Sequence, residues 1–138
     1  MTAPSPDFPF TIRERVRFSD CDPMGHANNA VYSSYLEEAR IGVLGDLVDF
    51  ILARVEIDFR VPLRAGAEIE VRSRCTRIGT KSFELEHEIR EGEDVVAAGK
   101  SVLVAYDYGR EATVPVPEEL RERLAPVKLG RTPRRRGG

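Results

Sequence analysis

The chain has 138 residues, 41% of them apolar and 32% charged, the size and balance of one soluble globular domain. No apolar run approaches the roughly 18 residues of a membrane span, and the composition excludes a disulfide scaffold, a collagen-like repeat and a wholly disordered chain. The net charge of −2 hides an acidic body: with Lys128, Arg131, Arg134, Arg135 and Arg136 set aside, residues 1–127 hold 16 bases against 23 acids, or −7, a poor surface for nucleic acid.

Residues 1–9, with Pro4, Pro6 and Pro9, read as a flexible lead. They hold no basic cluster and no greasy stretch, so no secretory signal is expected, and a cytoplasmic, membrane-free protein is. A single domain is expected over 10–127 and a basic disordered tail over 128–138. Cys21 and Cys75 form no metal spacing with each other or with His26 and His87, so reduced thiols and no metal are expected.

From Phe10 the pattern is strict. Phe10, Ile12, Val16 and Phe18 alternate with Thr11, Arg13, Arg15 and Arg17, which predicts a half-buried strand, near an edge because Glu14 interrupts its apolar side. Residues 19–27 are turn-forming. The period then changes: Tyr32, Leu36, Ala39, Val43 and Leu47 recur at helical spacing, predicting a helix from about 29 to about 47 capped by Asn28 or Asn29. Gly42 and Gly45 weaken it by about 1 kcal/mol each relative to Ala, so close packing against another element is expected there.

Four strands follow. The second sets Ile51, Ala53, Val55, Ile57, Phe59 and Val61 on one side and Arg54, Glu56, Asp58 and Arg60 on the other. The third alternates Ile69, Val71 and Cys75 with Glu68, Glu70, Arg72 and Arg74. The fourth alternates Phe83, Leu85, His87 and Ile89 with Glu84, Glu86, Glu88 and Arg90; His87, on the apolar side, reads as a core histidine with a satisfied partner. A hairpin turn at residues 91–94 leads to a fifth strand, Val95 to Tyr106, apolar on both faces and therefore central or at an interface, with a bulge expected at Gly99. A short helix, Pro117 to Leu124, closes the domain. One long helix over a larger antiparallel sheet is an α+β architecture whose uncovered surface favours pairing of two copies.

The densest polar, turn-prone stretch is Asp20-Cys21-Asp22-Pro23-Met24-Gly25-His26-Ala27-Asn28-Asn29. It runs from a strand end into a helix start, where free N–H groups favour negative charge. Two readings are open on the residues alone. Asp20 and Asp22 form turns and the asparagines cap the helix, or one carboxylate acts as base or nucleophile while the helix amides hold an oxyanion. Tyr32 and Tyr35 are helix-stripe residues, mainly packing. The chain lacks G-x-S-x-G, which argues against a nucleophile-elbow hydrolase.

The run Arg17-Phe18-x-Asp20-x-Asp22-x-x-Gly25-His26-x-Asn28-Asn29-x-x-Tyr32-x-x-Tyr35-x-Glu37-x-Ala39-Arg40 resembles the signature of hotdog-fold acyl-CoA thioesterases of the 4-hydroxybenzoyl-CoA thioesterase type. The resemblance implies a hotdog fold, a long central helix wrapped by a five-stranded antiparallel sheet, with sheets paired in a dimer that can pair again into a tetramer. It implies an acyl-CoA thioester as substrate and no cofactor, CoA being part of the substrate. Asp22 falls at the catalytic carboxylate, as base or nucleophile, and the backbone N–H of Asn29 at the carbonyl. Gly25 lets the loop turn, His26 and Asn28 line it and orient water or substrate, and Tyr32 is a substrate-binding candidate whose hydroxyl reaches the acyl pocket. Asp20 falls to a turn or support role. Glu37 falls at a supporting or second-base position reached across the dimer. Arg77, Gly79, Thr80, Lys81 and Ser82 fall at the turn that borders the pantetheine and phosphates of CoA. A hotdog dehydratase would carry Asp-x-Asn-Pro-x-His, from which this loop departs. A non-catalytic acyl or CoA-binding module and an acyl carrier protein thioesterase are the other readings; the intact Asp22 argues against the first and the acidic body against the second.

Overall fold

The computed structural model describes residues 7–124, so the basic tail expected over 128–138 lies outside the described residues. In chain order these are β1 (Phe10–Arg15), a 3₁₀ turn (Phe18–Asp20), α1 (Asn29–Leu44), β2 (Phe50–Phe59), β3 (Glu68–Ile78), β4 (Ser82–Glu91), β5 (Asp94–Asp107), β6 (Ala112–Thr113) and α2 (Glu118–Leu124). The sheet order is β1-β3-β4-β5-β2, every pair antiparallel, with β6 pairing the end of β5. The fold is α+β, one long helix lying on an antiparallel sheet. The short sixth strand is an addition to the five expected; its two exposed residues carry no alternation to read.

Period two places Ile69, Val71 and Cys75 of β3, Phe83, Leu85 and Ile89 of β4, and Ala97, Leu103 and Ala105 of β5 in the interior. Against them α1 buries Tyr32, Tyr35, Leu36, Ala39, Val43 and Leu44. The other face of the sheet is a lattice of charges, with Glu70 between Arg13 and Arg72, Arg74 on Glu86 and Arg90 on Glu88. The interior is two apolar clusters, one under the first half of α1 and one under its second half. Between them runs a buried polar belt. Arg40 donates to Ser101 Oγ at 3.1 Å, Ser101 Oγ lies 3.0 Å from His87 Nε2, and His87 Nδ1 lies 2.8 Å from Ser73 Oγ. His87 is the core histidine with partners that its place in the strand implied.

Several expectations need correction. The alternation of β1 stops at Arg15; the chain then winds into the 3₁₀ turn, and Phe18 is 88% exposed. The helix ends at Leu44, with Gly45 as its C-cap at φ +55°. The beat of β2 is broken by a register shift between Leu52 and Arg54. Ile51 pairs with Val104 but Val55 with Ser101, so the two lie on opposite faces rather than on one. Because β2 is an edge strand that α1 only partly covers, Leu52, Val55 and Phe59 stay exposed. Gly99 sits in unbroken register with both Ile57 and His87, and the shift lies instead between Ile89 and Arg90. What Gly99 supplies is closeness: a Cβ there would stand 2.9 Å from the Glu56 carbonyl oxygen and 3.0 Å from Leu36 Cδ1. Gly42 similarly lets α1 approach Ile12. The lead expected to be free over residues 1–9 joins the fold at Phe8, whose buried ring lies under the Arg74 guanidinium at 4.5 Å. The helix expected from Pro117 begins at Glu118; it buries Leu120 and Leu124, and Arg123 donates to the carbonyls of Gly42 and Val43 at the end of α1.

Burial, and then the charge of Arg40, push His87 down to about 3 from an ordinary 6.5. The unfolded imidazole takes a proton below pH 6.5 and the folded one refuses it. Stability is therefore unaffected by His87 above pH 6.5 and falls as pH drops toward 3. Chemical denaturation at pH 6.5 and 4.5 should show His87→Gln losing less stability than the wild type over that interval, by about 2–3 kcal/mol.

Candidate active site

The loop between β1 and α1 is tied along its whole length. Val16 anchors its start, its N–H donating to Ala67 O at 2.9 Å and its carbonyl accepting from Gly66 N at 2.8 Å. Within the loop the Asp22 N–H donates to His26 O at 2.8 Å, and Gly25 N to Asp22 O at 2.9 Å. That tight turn needs φ +85° at Gly25, which a side chain rarely adopts. Ala27 N donates to Leu63 O at 2.7 Å, pinning the loop to the segment after β2.

One carboxylate oxygen of Asp22, Oδ1, accepts from Met24 N at 2.9 Å and His26 N at 3.3 Å. The other oxygen has no hydrogen-bond partner among the described residues. The side chain is half-buried at the edge of a cleft of about 280 Å³ lined also by His26, Ala27, Asn29, Tyr32, Phe59, Arg60, Val61 and Pro62. Tyr32 and Phe59 meet edge-to-face at 4.9 Å and form its aromatic wall. Burial pushes the Tyr32 hydroxyl above its ordinary pKa.

The helix opens onto the same cleft. Asn28 is its N-cap, with Oδ1 accepting from Ala30 N at 2.9 Å and its carbonyl from Val31 N at 2.8 Å. Asn29, the other candidate cap, is the first helical residue, and helix geometry leaves its N–H to an outside partner. Behind the loop, buried Asp20 accepts from the Tyr35 hydroxyl at 3.0 Å and the Arg17 N–H at 2.9 Å, with the Arg17 guanidinium at 3.3 Å. Burial pulls the Asp20 carboxyl upward, but these hydrogen bonds and the Arg17 charge outweigh it and hold it below the usual range.

The sequence-derived set therefore divides. Asp22, His26, Asn29 and Tyr32 share one cleft; Gly25 and Asn28 shape its rim without lining it. Glu37 lies on the exposed face of α1, about 12 Å along the helix from Asn29, and does not line the cleft. Arg77, Gly79, Thr80, Lys81 and Ser82 lie at the opposite end of the sheet. Ser82 pairs with Val104, which pairs with Ile51, whereas the cleft residue Phe59 pairs with Ala97; that separation is about 25 Å along β2. In one chain this turn is tied to the C-terminal segment, where Thr80 O accepts from Val116 N at 2.9 Å and Lys81 Nζ donates to Thr113 Oγ1 at 3.3 Å.

Sequence reasoning missed Phe59, Arg60, Val61 and Pro62 as cleft residues. Their alternation marks Phe59 and Val61 as one apolar side of a strand; Phe59 does share the helix-side face, paired with buried Ala97, and its edge position leaves it half-covered at the cleft. Among the described residues, no three His, Cys, Asp or Glu side chains gather to hold a metal ion. A half-buried carboxylate with one free oxygen, sharing an aromatic-walled cleft with the first residue of a helix, has the groups needed to attack or hydrate an electrophilic carbonyl and to hold its oxygen on a helix amide.

The model of the thioesterase-like superfamily matches residues 16–124. Among solved structures, a Thermus thermophilus thioesterase complexed with coenzyme A and Zn is 37% identical, with a TM-score of 0.78 over 85% of this chain and 98% of that one. YbaW, a probable thioesterase from Escherichia coli, is 25% identical, with a TM-score of 0.73 over 86% and 98%. A predicted thioesterase from Bacillus stearothermophilus is 26% identical, with a TM-score of 0.77 over 84% and 93%.

Replacing the cap, Asn28→Ala, should lower stability by about 1 kcal/mol in urea unfolding. Asn28→Asp, which keeps the acceptor for Ala30 N, should lose much less.

Proposed function

The chain belongs to the thioesterase-like superfamily and is an enzyme of thioester hydrolysis, and from that premise we propose that its substrate is an acyl-CoA, cleaved to a carboxylic acid and CoA by Asp22. The observation that carries the reading is that Asp22 and Asn29 line one cleft. Sulfur donates poorly into the adjacent carbonyl, so a thioester needs less activation than an ester. One carboxylate and a helix amide suffice, without a serine triad.

Asp22 serves as nucleophile or base. As nucleophile, its free oxygen bonds to the carbonyl carbon, the C–S bond breaks, CoA leaves as thiolate, and water then cleaves the anhydride. As base, it takes a proton from water, whose oxygen bonds to the carbon before the thiolate leaves. In either route the Asn29 N–H holds the oxyanion. Gly25 and Asn28 shape the loop, His26 orients water or substrate, and Tyr32 with Phe59 walls the acyl group. The protein brings no cofactor, and the reaction is placed in the cytoplasm. Among the described residues, no helix is long and apolar enough to cross a membrane. The acidic body favours CoA over an acidic carrier protein as leaving partner.

The edge of β2, unpaired among the described residues and with Leu52, Val55 and Phe59 exposed, supports a homodimer, alone or within a tetramer, formed by antiparallel pairing of two β2 strands. A two-fold axis at mid-strand sets the Ile51 end of one copy beside the Phe59 end of the other. Arg77, Gly79, Thr80, Lys81 and Ser82 of one copy then approach the cleft of its mate, where Arg77 and Lys81 meet CoA phosphates, and Glu37 reaches across the same junction.

Thiol release from a panel of acyl-CoAs, followed with a thiol reagent, should show turnover that falls at least about a hundredfold in Asp22→Asn with an unchanged circular dichroism spectrum. Tight CoA retention without turnover by the wild type would refute the reading in favour of a binding module. Light scattering should give at least twice the chain mass, and Val55→Asp should shift it toward one chain with loss of thiol release.

A further inference from the structure

The hydroxyl of Tyr35 has no part in the chemistry above, and burying a hydroxyl is costly unless it is paired. It is paired with a charge. Tyr35, on the second turn of α1, is 3% exposed and donates to Asp20 Oδ2 at 3.0 Å. The same oxygen accepts from the Arg17 N–H at 2.9 Å, and the Arg17 guanidinium stands 3.3 Å from Oδ1. Asp20 is thus held from the helix on one side and from the end of the first-strand segment on the other.

Its main chain is tied to the segments that carry both Asp22 and Asn29. The Asp20 carbonyl accepts from the N–H of Asn28 at 2.9 Å, the residue just before the first helical amide. Asp20 itself lies two residues before Asp22, and the intervening Cys21 is bridged to Ala27. Neither Asp20 nor Tyr35 lines the cleft, and both are buried, at 5% and 3% exposed. A hydrogen bond to an ionised carboxylate is about twice as strong as one between neutral groups, and misplacing a reacting group by about 1 Å can cost a hundredfold in rate.

We propose that Tyr35 is a positioning residue for thioester hydrolysis, acting through Asp20 to set the distance between the Asp22 carboxylate and the Asn29 N–H. The inference rests on the reading of Asp22 as the reacting acid. The phenol and the carboxylate form one unit, and removing either member frees the loop in the same way.

The test uses the full chain with Tyr35→Phe, Asp20→Asn and the double variant, assayed with the acyl-CoA that the wild type turns over fastest, at a temperature where circular dichroism shows each variant folded. Tyr35→Phe should lower kcat about ten- to a hundredfold while KM stays within about threefold. The acid limb of its pH–rate profile should stay at the wild-type position, because the phenol positions the reacting acid and does not itself titrate there. The double variant should be no worse than the poorer single one. Amide hydrogen exchange at Met24, Gly25 and His26 should quicken in Tyr35→Phe while β4 and β5 keep their protection. Wild-type kcat, or a raised KM at constant kcat, would overturn the proposal. If the wild type turns over no acyl-CoA, the function reading fails, and the exchange comparison alone decides whether Tyr35 holds the loop through Asp20: quickened exchange supports it and unchanged exchange overturns it.

Discussion

A helix buried on a sheet must do something with the N–H groups of its first turn, and in this protein that requirement organises everything around it. Asn28 satisfies two of them, with its side chain and its carbonyl. The amide of Asn29 remains, and Asn29 lines the cleft. To keep it available the approaching loop must be rigid without covering it. Asp20, Asp22 and Ala27 achieve that through main-chain and carboxylate hydrogen bonds that run to Arg17, Tyr35, His26 and Leu63. The polar loop and the apolar helix are therefore one construction.

Much of this is written in the residues. The alternation of the third and fourth strands locates their buried sides, because a one-residue slip would exchange Leu85 and His87 for Glu84 and Glu86. The helix start is marked by asparagines and the loop by its dense polar run. What cannot be read is what depends on contacts between distant segments. The bulge in β2 arises from its pairing with β5, so Ile51 and Val55 look like companions and are not. Gly99 looks like an irregularity in its own strand, yet the reason for it lies in Leu36, across the helix–sheet boundary. Phe59 and Tyr32 look like core and become a cleft wall, because the helix stops short of the sheet edge. The turn at Lys81 belongs by resemblance with Asp22, yet one chain holds the two at opposite ends of the sheet.

The polar belt of Arg40, Ser101, His87 and Ser73 explains how two apolar clusters coexist under one helix. Each of these residues lies between the clusters on its own element: Arg40 between Ala39 and Val43, Ser73 between Val71 and Cys75, His87 between Leu85 and Ile89, Ser101 between Ala97 and Leu103. Oil alone would accept the helix at many rotations. A guanidinium that must find a serine, and an imidazole that must find two, accept few.

The uncovered margin of β2 also acts as a filter. Its main-chain groups would welcome any extended peptide, the usual hazard of a bare strand. Its charges are choosier. Arg54 and Glu56 flank Val55 with opposite signs, so a like-sequence strand laid antiparallel and centred on Val55 brings Arg54 against Glu56 twice over, whereas one centred two residues further along brings Arg against Arg and Glu against Asp. A second copy centred on Val55 would therefore meet opposite charges on both flanks, and that two-residue slip would meet like ones.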